Sequence, residues 1–163
     1  MYRFFLLPIV LLMIAGPVHA VDNSAQVQRV AVRAAPSGTI AHNVGSLLNR
    51  ERQARNLPAI SHSNTLSAVA QAHANDMARR NYFSHTGADG STISRRIKRR
   101  GYRPCLSAEN IAKGQRSPQE VMQAWMNSAG HRRNNLHHRV REYGVGYSGD
   151  GRYWVLVFAR PGC

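Results

Sequence analysis

Cysteine and acidic side chains are the two scarcities of this 163-residue chain: only Cys105 and Cys163 carry thiols, and eight Asp and Glu stand against 22 Lys and Arg. With no Cys-x-x-Cys pair, the cysteines form no redox or zinc motif of that type. A Walker-type loop and a dinucleotide fingerprint are also missing, so neither of those nucleotide-binding modes is available. The nucleophile elbow Gly-x-Ser-x-Gly does not occur. Gly146-Tyr147-Ser148-Gly149-Asp150 fails at its last position and reads better as a hairpin, which leaves a serine-hydrolase triad poorly supported. No thiol precedes Cys105 to carry a lipid anchor near the N-terminus. The one long apolar run, Phe4 to Ile14, is interrupted by Pro8 and falls short of the roughly 20 residues that a membrane span needs. Internal repeats and low-complexity tracts are lacking.

What is present begins with a targeting pattern. Arg3, the apolar run and Val18-His19-Ala20 together predict a signal peptide over residues 1–20, cleaved after Ala20. An uncleaved anchor is the alternative. Export to a secreted or periplasmic location would place both cysteines in an oxidising compartment, where an even count favours a Cys105–Cys163 disulfide over two free thiols. Closing the loop between them would stabilise the fold by roughly 4 kcal/mol in the chain-entropy picture. Residues 1–20 hold one basic and no acidic residue, so the mature chain carries +13 with its histidines neutral. That excess favours anionic envelope lipids or polymers as partners. Intracellular nucleic acid is excluded by export, no transmembrane segment is expected after cleavage, and a monomer is expected.

Along the mature chain, residues 21–39 read as a flexible polar linker, with a short strand around Val27, Val30 and Val32 as the alternative. The domain proper spans 40–163. Val44, Leu47 and Leu48 predict an amphipathic helix over 41–55. Leu66, Val69, Ala70, His73 and Met77 predict a stronger one over 64–80, capped by Ser63 or Asn64. A Gly-containing polar loop follows. Residues 92–100 form a short helix with Ile93 and Ile97 inward and Gly101 at its C′ position. Residues 109–112 read as a buried strand. Ser117-Pro118-Gln119-Glu120 is a helix start with a capping box, and that helix is expected to break at Gly130 before a further turn from Asn134 to His138. Strands over 143–148 and 152–159, joined by Gly149-Asp150-Gly151, form a hairpin. The order predicts an α+β fold with helices packed on a small, mostly antiparallel sheet.

Several segments in order carry a family resemblance. They are Asn81-Tyr82-Phe83-Ser84-His85, Asp89-Gly90, Gly101-Tyr102, Ala108-Glu109-Asn110-Ile111-Ala112, Trp125 to Arg132, Gly144-Val145-Gly146-Tyr147 and Trp154 to Phe158. Together they resemble the CAP superfamily of cysteine-rich secretory, venom-antigen and pathogenesis-related proteins, in its compact bacterial form, over about residues 41–160. The resemblance implies an α-β-α sandwich. It also implies a central cleft in which His85, Glu109 and His131 match two histidines and one glutamate. Where many members have a second glutamate, this chain has Ser128. Ser84, Asn110 and Ser128 are expected at the cleft rim.

Two imidazoles and a carboxylate could hold Zn²⁺ or another divalent metal, with one position left for water. The same three groups could serve in acid–base catalysis. They could also pair with one another to organise loops without any metal. His73 reads as a core residue; His62, His137 and His138 read as surface or rim. Trp125 and Trp154 read as core anchors. Arg95, Arg96, Lys98, Arg99, Arg100 and Arg103 form the densest charge cluster, and Arg132, Arg133, Arg139 and Arg141 a second one. Of these, Arg95, Arg96, Arg99, Arg100, Arg132 and Arg133 are the expected anion-binding set, with a solubilising face as the alternative. The leading expectation is a secreted binding or interaction module with a His/Glu cleft for a metal or small ligand. The alternatives are a metal-dependent hydrolase using His85, Glu109 and His131, and a lipid- or sterol-binding module.

Overall fold

The structure, a computed structural model, describes residues 37–162. The expected signal peptide, almost all of the expected linker, and Cys163 lie outside the described residues.

Helix α1 (Ser37–Gln53) begins inside the segment expected to be linker, so Ser37, Gly38 and Thr39 are helical. Its Val44 and Leu48, one turn apart, are wholly buried. Strand β1 (Ser61–His62) is two residues long and falls between the helices predicted over 41–55 and 64–80. Helix α2 (Asn64–Arg80) has the predicted bounds, because its apolar stripe and its cap agree: the Ser63 hydroxyl accepts from the Leu66 amide. Helix α3 (Ile93–Arg99) is capped by Thr92, and Gly101 follows it with φ of +74°, as its C′ position requires.

Strand β2 (Pro104–Lys113) is ten residues long, and its first half carried no alternation that would have announced it. Helix α4 (Pro118–Asn127) starts at the Ser117 cap, whose hydroxyl accepts from the Glu120 amide. The reciprocal half of the capping box is displaced by one residue, with the Glu120 carboxylate accepting from the Arg116 amide. The break comes at Ser128, extended with ψ of 123°, and not at Gly130; helix α5 (Ala129–Asn135) starts directly after it. Strands β3 (Glu142–Ser148) and β4 (Tyr153–Pro161) form the predicted hairpin.

The sheet order is β1-β3-β4-β2, antiparallel except for the β1–β3 pair. Strand β4 explains the three layers. Its alternate residues Trp154, Leu156 and Phe158 enter one core with Val44, Leu48, Val121 and Trp125 of α1 and α4. Its Tyr153, Val155, Val157 and Ala159 enter a second core with Leu66, Val69 and Met77 of α2 and Ile97 of α3. A strand buried on both faces must be apolar throughout, and each such side chain contributes about 1.5–3 kcal/mol by burial. This is the α-β-α sandwich.

Two glycines set the distance between α2 and the sheet. A Cβ at Gly144 would lie 2.1 Å from the Ser67 amide, and one at Gly146 2.3 Å from the Ala70 backbone. At that range α2 reaches the outer edge of β3 with its side chains. Ser67 Oγ accepts from the Val145 amide, and the Gln71 side chain both accepts from the Tyr147 amide and donates to its carbonyl.

Candidate functional site

The site is built around the loop from Asn81 to Ser91. Asn81 ends α2 in the left-handed region, φ +49°, with its amide turned back to the last carbonyls of the helix. Three side chains then fasten the loop to the helices on either side. Tyr82 donates to Asp76 (2.7 Å) and accepts from the Ala88 amide. His73 Nε2 lies 2.9 Å from the Ser84 carbonyl. Arg96 donates to the carbonyls of His85 (3.0 Å) and Ser91 (2.8 Å).

Glu109, on β2, sits behind this loop with 2% of its side chain exposed. One carboxylate oxygen is 2.7 Å from Arg96 Nη2; the other is 2.9 Å from His85 Nδ1 and 4.0 Å from His73 Nε2. A carboxylate paired with a guanidinium is ionised and only accepts, so His85 must donate from Nδ1. That fixes the tautomer and leaves the His85 Nε2 lone pair available on a side chain that is 57% exposed. A carbonyl likewise only accepts, so His73 donates from Nε2. Burial lowers the His73 pKa, against the raising influence of Glu109.

His131 comes from α5, which a chain of asparagines ties to β2. Asn110 donates to the His131 carbonyl (3.1 Å) and to Asn135 (2.8 Å). Asn134 donates to the Glu109 carbonyl and to the Asn110 side chain. The His131 imidazole is half-buried, and burial together with the neighbouring His85 lowers its pKa. The fold therefore brings His85 against Glu109 and His131 within electrostatic reach of His85.

Several expected roles change. Arg96 is not a surface anion binder: its side chain is 11% exposed and its charge is committed to Glu109. It lies three residues after Ile93, on the inward side of α3. Asn110 is wholly buried in the asparagine chain and is no rim residue. Ser84 and Ser128 are half-buried. His73 is in the core as expected, but it also approaches Glu109, which its place on the apolar face of α2 did not reveal. Arg95, Arg99, Arg100, Arg132 and Arg133 are exposed; Arg99 pairs with Asp89 at 2.6 Å, and Arg132 donates to the Met126 carbonyl.

Glu109 lies behind His85 and Arg96, each of which takes one of its oxygens, so its first role is to orient the His85 ring. Among the described residues no three His, Cys, Asp or Glu side chains are grouped to hold a metal. The arrangement does resemble the outer support of a metal-binding histidine, in which a carboxylate orients the ring from behind.

The three-layer sandwich thus carries a carboxylate-oriented histidine with a second histidine in its electrostatic reach. Residues 46–159 match the cysteine-rich secretory protein (CAP) family. The chain belongs to that family. It is 40% identical over 126 residues to the uncharacterized protein YkwD of Bacillus subtilis, covering 76% of this chain and 49% of that one. Among solved structures it is similar to an extracellular protein containing an SCP domain from Bacillus anthracis. That match has a TM-score of 0.73 and 31% identity, over 76% of this chain and 41% of the other. An outer surface protein of Borrelia burgdorferi shares the fold, with a TM-score of 0.66 and 23% identity over 73% and 90% of the two chains. The chain thus spans less than half the length of the two Bacillus relatives. No described helix is long and apolar enough to cross a membrane.

Proposed function

We propose that the protein is an extracellular binding module. Its cleft offers His85 and His131 to a small ligand or a divalent cation such as Zn²⁺, and its cationic face holds it against anionic envelope lipid or polymer. One observation carries the reading of the cleft. Glu109 is buried, with one oxygen taken by Arg96 and the other by His85, so it orients an imidazole from behind and is shielded from a ligand in the cleft. The hydrolase alternative needs a carboxylate free to act as base, and the second glutamate position of many family members is Ser128 here. The lipid or sterol alternative rests on the family resemblance alone.

Export also supports the expected disulfide. Among the described residues no cysteine is free. Cys105 Sγ lies 3.8 Å from the carbonyl of Pro161, two residues before Cys163. The test uses exported protein, first mapped without reductant for a Cys105–Cys163 link and then titrated with Zn²⁺ by calorimetry. One equivalent should bind at neutral pH, and His85→Ala and His131→Ala should each abolish it. Zn²⁺ binding that survives both changes, or its absence from the parent, would end the cation reading. Zinc-dependent ester or peptide hydrolysis abolished by His131→Ala would favour the enzyme instead.

A further inference from the structure

Between α2, α3 and the loop from Gly87 to Ser91 lies an open cavity of about 340 Å³, a size suited to a small molecule. Neither His85, Glu109 nor His131 lines it, although His73 and Arg96 belong to both places. Five arginines reach its wall: Arg79 and Arg80 from α2, Arg96 and Arg99 from α3, and Arg100 from the α3 C-cap. Lys98 and Arg103, in the same stretch of sequence, do not. Part of the remaining lining is apolar, from Val69 and Ala72.

The charges in this cavity do not balance. Asp76 is shared by Arg80 at 3.0 Å and Arg79 at 3.7 Å, Asp89 is taken by Arg99, and Arg96 is taken by Glu109 behind the wall. Five guanidiniums against three carboxylates leave a surplus of two. Arg100, at the cavity wall and without a carboxylate among the described residues, carries one of these surplus charges.

We infer that this cavity binds a phosphomonoester. Such a group carries about two negative charges near neutral pH and presents three oxygens. It therefore matches the surplus charge, and the planar forks of arginine suit its oxygens. A carboxylate or a phosphodiester brings one charge and leaves the surplus half-neutralised. The body of the ligand rests on Val69 and Ala72. This rests on the anionic-partner part of the proposal above and sharpens it from a diffuse cationic face to one discrete site. The phosphate could belong to a soluble small molecule or to a lipid headgroup that ends in a monoester.

The experiment compares two pairs of substitutions that remove the same charge. Arg79→Gln with Arg100→Gln changes the cavity; Arg95→Gln with Arg103→Gln changes exposed positions outside it. Exported protein is titrated with glycerol 3-phosphate by calorimetry at low salt, with the His73 ring resonances followed in parallel. One equivalent should bind and shift the His73 signals. The cavity pair should weaken binding about tenfold or more, and the outer pair no more than about twofold. Co-sedimentation with phosphatidylcholine vesicles containing phosphatidic acid, or phosphatidylglycerol at equal surface charge, then separates the two sources. A preference for phosphatidic acid that the cavity pair removes assigns the headgroup; soluble binding without that preference assigns a free phosphomonoester. No saturable glycerol 3-phosphate binding, or equal loss in the two pairs, overturns the site. In that case vesicle binding that persists at low salt leaves the diffuse surface reading standing, and its absence removes both.

Discussion

Among the described residues Arg52 and Glu109 are buried charged side chains, and they are treated in opposite ways. Arg52, at the end of α1, is wholly buried and has no carboxylate partner among the described residues. Its guanidinium donates to the backbone carbonyls of Pro58 (3.0 Å), Asn135 (2.9 Å) and His137 (3.1 Å). Burial, helped by nearby Arg141, lowers its pKa. Glu109 is equally dry but is held by side chains, Arg96 and His85, one of which reaches solvent. Backbone carbonyls have nowhere else to go, so the Arg52 site is a rivet joining α1, the connector after it and the end of α5. Side-chain partners have rotamers and protons to change. The comparison separates a charge that holds the fold from one that orients a reactive group.

The sharpest way to break this distinction is to remove the rivet. Arg52→Met orphans three buried carbonyls, each worth about 1–3 kcal/mol, so stability in urea unfolding should fall by about 4 kcal/mol. Zn²⁺ affinity per folded molecule should stay the same. A loss below about 1 kcal/mol would mean that water replaces the guanidinium and the rivet is dispensable.

Glu109→Gln should come next. Breaking a buried ion pair typically costs about 3–5 kcal/mol, and glutamine keeps one acceptor, so a loss near 3 kcal/mol is expected. Unlike the Arg52 change, it should also weaken cation binding at His85, because the ring loses the group that fixes its tautomer. Unchanged affinity in the folded fraction would reduce Glu109 to a second rivet.

The smallest effect concerns protons. His73, His131 and His137 all have lowered pKa values, with burial the first cause in each. A base whose folded value lies below its unfolded one takes up a proton more readily when unfolded. Stability is therefore complete above about pH 6.5 and falls as the pH drops from there toward the folded values. The slope should reach at most about 1.4 kcal/mol per pH unit for each histidine. Urea midpoints measured between pH 7.5 and 5.5 should show the decline, and His73→Asn should flatten it. An unchanged slope in that variant would place the linkage at the other two rings.

What the sequence made legible follows the same physical divide. Helix α2 and strand β4 were readable because periodicity and capping act within a few residues. The paired order of His85, Glu109 and His131 was readable through motif resemblance. Strand β1 was not, since two residues carry no period and its ladder depends on β3. The first half of β2 was missed because Pro104, Cys105 and Ser107 show no alternation; its pairing with β4 is a long-range choice. Arg96 was hidden among identical neighbours: six basic residues between Arg95 and Arg103 look alike until the carboxylate that selects one of them is known. The acceptor lies thirteen residues away on another element, so composition alone points every guanidinium toward water.

The glycines of β3 have a consequence for how this sheet could grow. With α2 pressed onto Gly144 and Gly146, the outward amides of Val145 and Tyr147 are already bonded to Ser67 and Gln71. A strand arriving from another molecule finds both of those amides taken, and β1 occupies the ladder beside Tyr143. On that side only the two residues of β1 present an outer edge, and on the other the β2 carbonyls of Glu109 and Ile111 already accept from Asn134 and Trp125. A sheet whose two margins are a two-residue strand and a side-chain-covered strand offers little template to a strand from another molecule, which blunts edge-to-edge association.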